Sequence, residues 1–196
     1  MGRNEIQIIA HRVNSSDSLQ KVEEHFGVEI DLRTKNGEII LAHDPFVDGE
    51  SLAKFMANYS HKMLILNVKE DGLEEQILET LTQFNSPDYF FLDQSLPTLV
   101  KSLRIGYNCS MRISEHESPL ELLPLQPKWL WIDSFYGNWE HMDSAIKYAK
   151  VHQIKTCLVS PELQGRDPQP EIEKLLLRYS ENLDAVCTKF PSLWRT

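Results

Sequence analysis

The sequence predicts an α/β protein, a compact (β/α)8 TIM barrel with a β-hairpin inserted after the second strand. Eight short apolar runs alternate with helix-like segments along the chain of 196 residues, and strands that alternate with helices pair in parallel. An open doubly wound sheet is the alternative. No glycine-rich phosphate loop follows the first strand, which counts against a nucleotide-binding version of that sheet.

The apolar runs set the expected strands, and one turn signal sets the hairpin. The predicted strands cover residues 6–11, 28–34, 63–69, 89–94, 109–114, 129–135, 155–160 and 184–189. Residues 38–43 form a further arm, because Asn36-Gly37 tolerates the positive φ angles of a tight turn. We therefore expect one antiparallel arm beside eight parallel strands.

Helical periodicity fills the segments between the strands. Leu73, Ile77, Leu81 and Phe84 recur at the spacing of one helix face. Helices are expected within residues 18–26, 51–59, 72–84, 96–103, 118–125, 141–152 and 170–180. No linker or repeat interrupts this order, so we expect one domain over residues 1–196.

Composition narrows the class of protein and of partner. The formal net charge of −9 argues against nucleic-acid binding, which needs clustered Lys and Arg. A small anionic substrate is compatible if a few cations or a metal ion gather in one cleft. No apolar run is long enough for stable membrane insertion. Three scattered cysteines without paired spacing indicate buried thiols and a cytoplasmic location. Oligomeric state is left open.

Glu29 and Asp31 are unusual because they interrupt an apolar strand. Residues two apart on a strand point to the same side, so both carboxylates are expected to face the barrel mouth. Two such charges resist joint ionisation unless a cation joins them. A hard ion such as Mg²⁺ or Ca²⁺ prefers oxygen ligands and meets that need. The alternative is pairing with Arg33 or Lys35 on a solvated edge strand.

Other candidate residues lie at or just beyond the predicted carboxyl ends of the strands, where barrels of this kind carry their functional groups. They are His11, Arg12, His43, Asn67, Lys69, Arg112, Asp133 and Tyr136. Position alone supports Arg112 and Asp133 as substrate-binding residues. Tyr136 follows the sixth strand, where a flat ring suits a sugar or glycerol face. Lys69 also precedes Glu70 and Asp71, so a surface ion pair is its alternative role.

The first fifty residues carry a specific order of motifs. His11-Arg12, Glu29-x-Asp31, the turn at 34–37 and His43-Asp44 resemble the signature of the glycerophosphodiester phosphodiesterase family. That family lies within the wider phosphatidylinositol-specific phospholipase C-like superfamily, and this chain reads as a divergent member. The resemblance implies metal-dependent cleavage of a small glycerol- or sugar-linked phosphodiester, with a cyclic phosphate as one route.

The same resemblance implies roles for individual residues. His11 and His43 take acid–base roles; Glu29, Asp31 and Asn67 hold Mg²⁺ or Ca²⁺; Arg12 and Lys69 bind phosphate oxygens. Asn67 stands where the family usually has a glutamate, so metal affinity is expected to fall. A barrel that binds a phosphorylated ligand without turnover is the second hypothesis. An isomerase or aldolase with Lys69 as Schiff-base amine is the third, and it leaves the histidines and carboxylates unexplained.

Overall fold

A computed structural model describes residues 5–84, 87–117 and 126–195, and these residues form an α/β barrel. The ten strands in this part of the chain are β1 Gln7–Ala10, β2 Gly27–Lys35, β3 Glu38–Leu41, β4 Glu50–Ser51, β5 Met63–Val68, β6 Asp88–Leu92, β7 Ser110–Ile113, β8 Trp129–Ile132, β9 Lys155–Val159 and β10 Ala185–Thr188. Each of the eight predicted strands and the predicted hairpin arm is present, with small changes at its ends.

Parallel pairing runs around the barrel. β1 pairs with β2 and β10, β2 with β5, β5 with β6, and β7 through β10 pair in sequence order. A parallel bridge between Phe91 and Cys109 joins β6 to β7, and the Phe91 amide donates to the Asn108 carbonyl at 2.8 Å. The prediction of a (β/α)8 barrel is confirmed.

The hairpin lies outside this ring, as predicted. β3 runs antiparallel to β2, and β4 pairs with the outer edge of β3. Asn36 and Gly37 make the turn with φ angles of 53° and 82°, values that asparagine and glycine tolerate better than other residues. β4 has only two residues, which is too short for a periodic signal.

Helices cover the outside of the strands. The α-helices are α1 Ser16–Leu19, α2 Leu52–Met56, α3 Glu74–Thr82, α4 Leu96–Ile105, α5 Glu140–His152 and α6 Pro168–Tyr179, and a 3₁₀ turn at Pro191–Trp194 follows β10. The prediction of a helix over 18–26 is wrong: α1 ends at Leu19, and turns lead to β2. Only Val22 and Phe26 are apolar in the rest of that segment, too few for a buried face. The helix predicted at 118–125 lies outside the described residues.

The apolar residues form two layers that follow the strand alternation. The larger layer lies between strands and helices and includes Val28, Ile30 and Leu32 of β2. The smaller layer fills the barrel and includes Ile65, Phe90 and Trp131. Alternate residues of one strand therefore point outward to the helices and inward to the barrel.

Two further expectations concern membranes and thiols. No helix in the described ranges is long and apolar enough to cross a membrane. Cys109, Cys157 and Cys187 are free and buried, as predicted from their spacing. Burial raises the pKa of Cys109 to about 12, so this thiol is not a reactive nucleophile at neutral pH.

Candidate functional site

The polar centre of the barrel begins with two carboxylates on β2. Val28, Ile30 and Leu32 pack outward, so Glu29 and Asp31 point into the barrel, and both are buried. Asp31 pairs in register with Asn67 of β5. The prediction that the two carboxylates share one face is confirmed, because the helix-facing residues take the other.

Glu29 receives two hydrogen bonds inside the barrel. The Arg12 backbone amide donates to its Oε2 at 2.7 Å, and Asn67 Nδ2 donates to its Oε1 at 2.8 Å. Burial, and then the charge of Asp31, raise the pKa of Glu29 from 4.5 to about 7. Without a bound cation this carboxylate is therefore only partly ionised at neutral pH.

Asp31 is surrounded by a different set of donors. Asn14 Nδ2 donates to Oδ2 at 2.8 Å, and Asn14 Oδ1 accepts from the Asp31 amide at the same distance. Lys69 Nζ lies 3.1 Å from Oδ1, and Arg12 Nε lies 3.9 Å from Oδ2. Two cations thus balance the aspartate.

These contacts decide between the alternatives for the carboxylates and for Lys69. Arg33 lies 3.5 Å from Glu70 and Lys35 pairs with Asp48, so neither balances Glu29 or Asp31. Lys69 contacts Asp31 rather than its sequence neighbours. The edge-strand interpretation of the carboxylates and the surface interpretation of Lys69 are both wrong.

Arg12 joins the barrel centre to the hairpin. Its φ of 54° is left-handed, a conformation that costs about 1–2 kcal/mol for a residue with a side chain. This turn directs the Arg12 amide at Glu29, while its guanidinium Nη2 lies 2.5 Å from His43 Nε2. Strained backbone that is held by such contacts is characteristic of functional sites.

His43 lies between an acid and a guanidinium. Its Nδ1 is 2.8 Å from Asp44 Oδ1, and its Nε2 faces Arg12. Arginine only donates, so Nε2 is the acceptor and the proton sits on Nδ1, facing the carboxylate. His43 therefore presents an unprotonated nitrogen toward the site.

His11 lies at the end of β1, and its ring is 13% exposed. Its Nε2 is 3.8 Å from Glu29 Oε2, and Nδ1 is buried without a hydrogen-bond partner in the described residues. Burial, and then the charges of Arg12 and Lys189, lower the pKa of His11 to about 4. His11 is therefore neutral near pH 7 in the ligand-free protein.

A second polar cluster lies on β6, β7 and β8, across the ring from β1 and β2. Arg112 Nη2 lies 2.5 Å from Asp93 Oδ1, and Nη1 pairs with the buried Asp133. Gln164 Nε2 lies 2.9 and 3.0 Å from the two Asp133 oxygens. Arg112 and Asp133 thus contact each other, and no described contact joins them to His11 or His43.

Arg112→Leu is expected to lower the free energy of unfolding at pH 7 by about 2 kcal/mol, because the buried Asp133 loses its charged partner. Urea denaturation measures this change. The control is Arg178→Leu, which removes an ion pair with Asp143 from a side chain that is 63% exposed and should cost under about 1 kcal/mol. Equal unfolding midpoints for the two variants would contradict the assignment.

Tyr136 lies at the surface, apart from both clusters. It is 72% exposed, and its hydroxyl is 3.0 Å from His116 Nε2. No described contact links Tyr136 to His11, Glu29 or Asp31. Its predicted role in binding substrate therefore stays a prediction.

The donor set near Glu29 and Asp31 suits a hard cation only in part. Asn67 Oδ1 is a buried oxygen without a hydrogen bond in the described ranges, and Asp31 Oδ1 has the Lys69 ammonium 3.1 Å away. Carboxylate and amide oxygens are the ligands that Mg²⁺ and Ca²⁺ prefer. Yet the described residues contain no group of three His, Cys, Asp or Glu side chains that could hold a metal ion. An amide would have to serve as the third ligand.

Sequence reasoning missed two residues of the site. Asn14 holds Asp31, and Gln164 holds Asp133. Both lie between regular elements, Asn14 before α1 and Gln164 at the end of a 3₁₀ turn. Neither segment has a periodic sequence pattern, so the contacts of Asn14 and Gln164 become visible only in the three-dimensional structure.

Fold and site together define a class: a (β/α)8 barrel whose polar groups gather at the carboxyl ends of its strands. No protein-family profile matches the chain. No curated protein matches its sequence.

Solved structures do share the fold. A glycerophosphodiester phosphodiesterase from Agrobacterium tumefaciens is similar with a TM-score of 0.71 and 12% identity, covering 96% of this chain and 98% of that one. A glycerophosphoryl diester phosphodiesterase from Parabacteroides distasonis has a TM-score of 0.67 and 12% identity, covering 99% and 86%. A tryptophan synthase complex from Pyrococcus furiosus has a TM-score of 0.60 and 14% identity, covering 96% and 88%. At these identities, the likeness establishes a common barrel fold.

Proposed function

We propose that this chain is a divergent glycerophosphodiester phosphodiesterase-like enzyme, which cleaves a small glycerol- or sugar-linked phosphodiester. One observation carries the proposal: Arg12 connects both predicted catalytic regions, through its amide to Glu29 and its guanidinium to His43. Two barrels of the same fold have names that state phosphodiesterase activity. Phosphodiester cleavage needs a proton acceptor, a proton donor and fixed positive charge.

His43 is the proposed general base. Its Nε2 accepts from the Arg12 guanidinium, and Asp44 orients the ring through Nδ1. A phosphate that draws this guanidinium onto its own oxygens frees Nε2 to take a proton from the attacking hydroxyl. The attacker is either water or a hydroxyl of the substrate, and the second route gives a cyclic phosphate.

His11 is the proposed proton donor to the leaving oxygen. Its pKa of about 4 reflects burial and neighbouring positive charges. A negatively charged diester bound between Arg12 and Lys69 offsets those charges and raises the pKa of His11 toward neutrality. Protonation is thereby coupled to substrate binding.

Glu29, Asp31 and the amide oxygen of Asn67 are the proposed ligands of Mg²⁺ or Ca²⁺. A bound divalent ion supplies positive charge for the phosphate oxygens. The buried Asn67 oxygen, which has no hydrogen bond in the described residues, supports this assignment. The Asp31 oxygen would have to exchange the Lys69 ammonium for the metal ion. The hydrogen bond from Asn67 Nδ2 to Glu29 has to break or tilt for the amide oxygen to serve as a ligand.

Asn67→Glu is expected to lower the Kd for Mg²⁺ or Ca²⁺ by about tenfold, because a third carboxylate strengthens an oxygen-ligand site. Calorimetric titration of the purified chain measures the affinity. Asn58→Glu is the matched control, since it adds the same charge at an exposed position on the helix side and should leave the affinity unchanged. Equal affinities for Asn67→Glu and the wild type would place the metal elsewhere.

A barrel that binds a phosphorylated ligand without turnover is the second candidate. The ion pair between Lys69 and Asp31 favours it, because the ammonium occupies a position that a metal ion would take. Hydrolysis of bis(p-nitrophenyl) phosphate with and without EDTA separates the two. Activity that EDTA removes supports the enzyme; no activity and no metal uptake at millimolar concentration support the binding protein.

A further inference from the structure

A groove of about 580 Å³ opens beside His11 on the flank of the barrel. One wall is the segment that follows β1, and the other is the segment that follows β10. Its charged lining consists of Arg12, Lys21, Lys189, Arg195 and Glu23, with the His11 ring at one end. The volume lies in the range of sites for small molecules.

The groove concentrates positive charge on an acidic chain. The formal net charge is −9, yet four cations and one carboxylate of the described residues line this groove. Arg195 pairs with that carboxylate, Glu23. Lys21 and Lys189 have no ion pair within residues 5–84, 87–117 and 126–195. Clefts lined by one sign of charge attract ligands of the opposite sign.

Buried contacts hold the groove in shape. Glu162 is buried; it accepts from Thr188 Oγ1 at 2.6 Å and from the Lys189 amide at 2.9 Å. These bonds fix the backbone that carries Lys189. Farther along the same segment, the Arg195 guanidinium lies 5.3 Å from the centroid of the buried Phe26 ring, which belongs to the opposite wall. Lys189 and Arg195 are therefore held by contacts with buried residues.

The groove is continuous with the proposed catalytic site. His11 and Arg12 line it, and the same residues contact Glu29 and His43. A substrate bound at His11 can thus extend into the groove.

We propose that this groove binds a second anionic group of the substrate, a phosphomonoester, beyond the diester that is cleaved. The proposal rests on the proposed function and narrows the substrate class to diesters with this additional negative charge. Lys21 and Arg195 are its specificity-determining residues, and neither is assigned to the chemistry at His11 and His43.

Glycerophosphoinositol and glycerophosphoinositol 4-phosphate test this proposal, because they differ by one phosphomonoester. For the wild type we expect kcat/KM to be about tenfold higher for the phosphorylated compound, roughly what one or two ion pairs supply. Lys21→Gln/Arg195→Gln should bring the ratio of the two values close to one. Lys147→Gln, a control at an exposed position of α5, should keep the wild-type ratio.

Binding separates failure of this proposal from failure of the proposed function. In His43→Ala, calorimetry should give a Kd about tenfold lower for the phosphorylated compound, whether or not any protein turns it over. Turnover of both compounds with equal kcat/KM and equal Kd would contradict the proposed phosphomonoester site and leave the proposed phosphodiesterase activity supported. If neither compound is turned over but the difference in Kd remains, the proposed phosphodiesterase activity is contradicted and the phosphomonoester site in the groove is supported.

Discussion

His43→Ala is expected to lower kcat/KM for bis(p-nitrophenyl) phosphate by about 10²- to 10⁴-fold, the usual contribution of a general acid or base. His43 Nε2 is the acceptor that faces Arg12, and alanine provides none. The ring is 38% exposed, so its removal leaves no buried cavity and the fold should be retained. Steady-state release of p-nitrophenol measures the loss, and circular dichroism checks the fold.

His152→Ala is the matched control for that loss. His152 is the last residue of α5, and helices of a (β/α)8 barrel end at the face opposite the strand carboxyl ends. This variant should keep wild-type kcat/KM. If His43→Ala stayed within about twofold of the wild type, His43 would not be the base.

Glu29→Gln is expected to stabilise the metal-free protein at pH 8 by about 3 kcal/mol, although it should lower phosphodiesterase activity. The pKa of Glu29 rises from 4.5 to about 7 on folding, because of burial and then the Asp31 charge. That difference corresponds to about 3 kcal/mol. A neutral glutamine occupies the same volume without the buried charge.

The sign of the pH dependence follows from proton binding. Below pH 4.5 the folded and unfolded chains both hold the Glu29 proton, so the substitution changes little there. Between pH 4.5 and about 7 only the folded chain keeps the proton, and the stability of the wild type falls as pH rises. The difference between Glu29→Gln and wild type should therefore grow across that window and level off above it.

Urea denaturation in EDTA from pH 4 to pH 8 measures this difference. His11 has the opposite pH dependence, because its pKa of about 4 lies below the ordinary 6.5. Protonation of His11 in acid therefore destabilises both the wild type and Glu29→Gln, and this contribution cancels in the difference between their stabilities.

Glu50→Gln is a control of opposite sign. Burial raises the pKa of Glu50, but hydrogen bonds from Ser16 and Lys54 outweigh burial and hold it below 4.5. Glu50→Gln should therefore destabilise the protein at pH 8. A Glu29→Gln variant that is also less stable than wild type at pH 8 would contradict the raised pKa of the buried Glu29.

The barrel could be predicted from the sequence because its strands are short apolar runs bounded by polar segments. The inward direction of Glu29 and Asp31 could be predicted as well, since residues two apart on a strand share a face. Asn36-Gly37 predicted the hairpin, because both residues tolerate the positive φ angles that its turn requires. These signals are local, and local signals can be read from one chain.

The partners within the site depend on segments without a repeating pattern. Asn14, which lies just before α1, donates to Asp31. Arg12 has a left-handed backbone conformation, and its guanidinium contacts His43, 31 residues further along the chain. The short α1 and the two-residue β4 also lack a periodic signal. The sequence predicts that the Asn67 carbonyl oxygen binds a metal ion. That prediction does not account for the Asn67 amide N–H, which donates to Glu29 Oε1. These hydrogen-bond partners depend on the distances between strands, which cannot be read from the sequence.

Phosphorus NMR of glycerophosphocholine with the purified chain and Mg²⁺ or Ca²⁺ tests the central claim most directly. The diester resonance should give way to a phosphomonoester or cyclic phosphate with the wild type, and persist with His11→Ala/His43→Ala. Conversion of the diester at the same rate by that double variant, or its persistence with the wild type in both metals, would contradict a phosphodiesterase site at the mouth of this barrel.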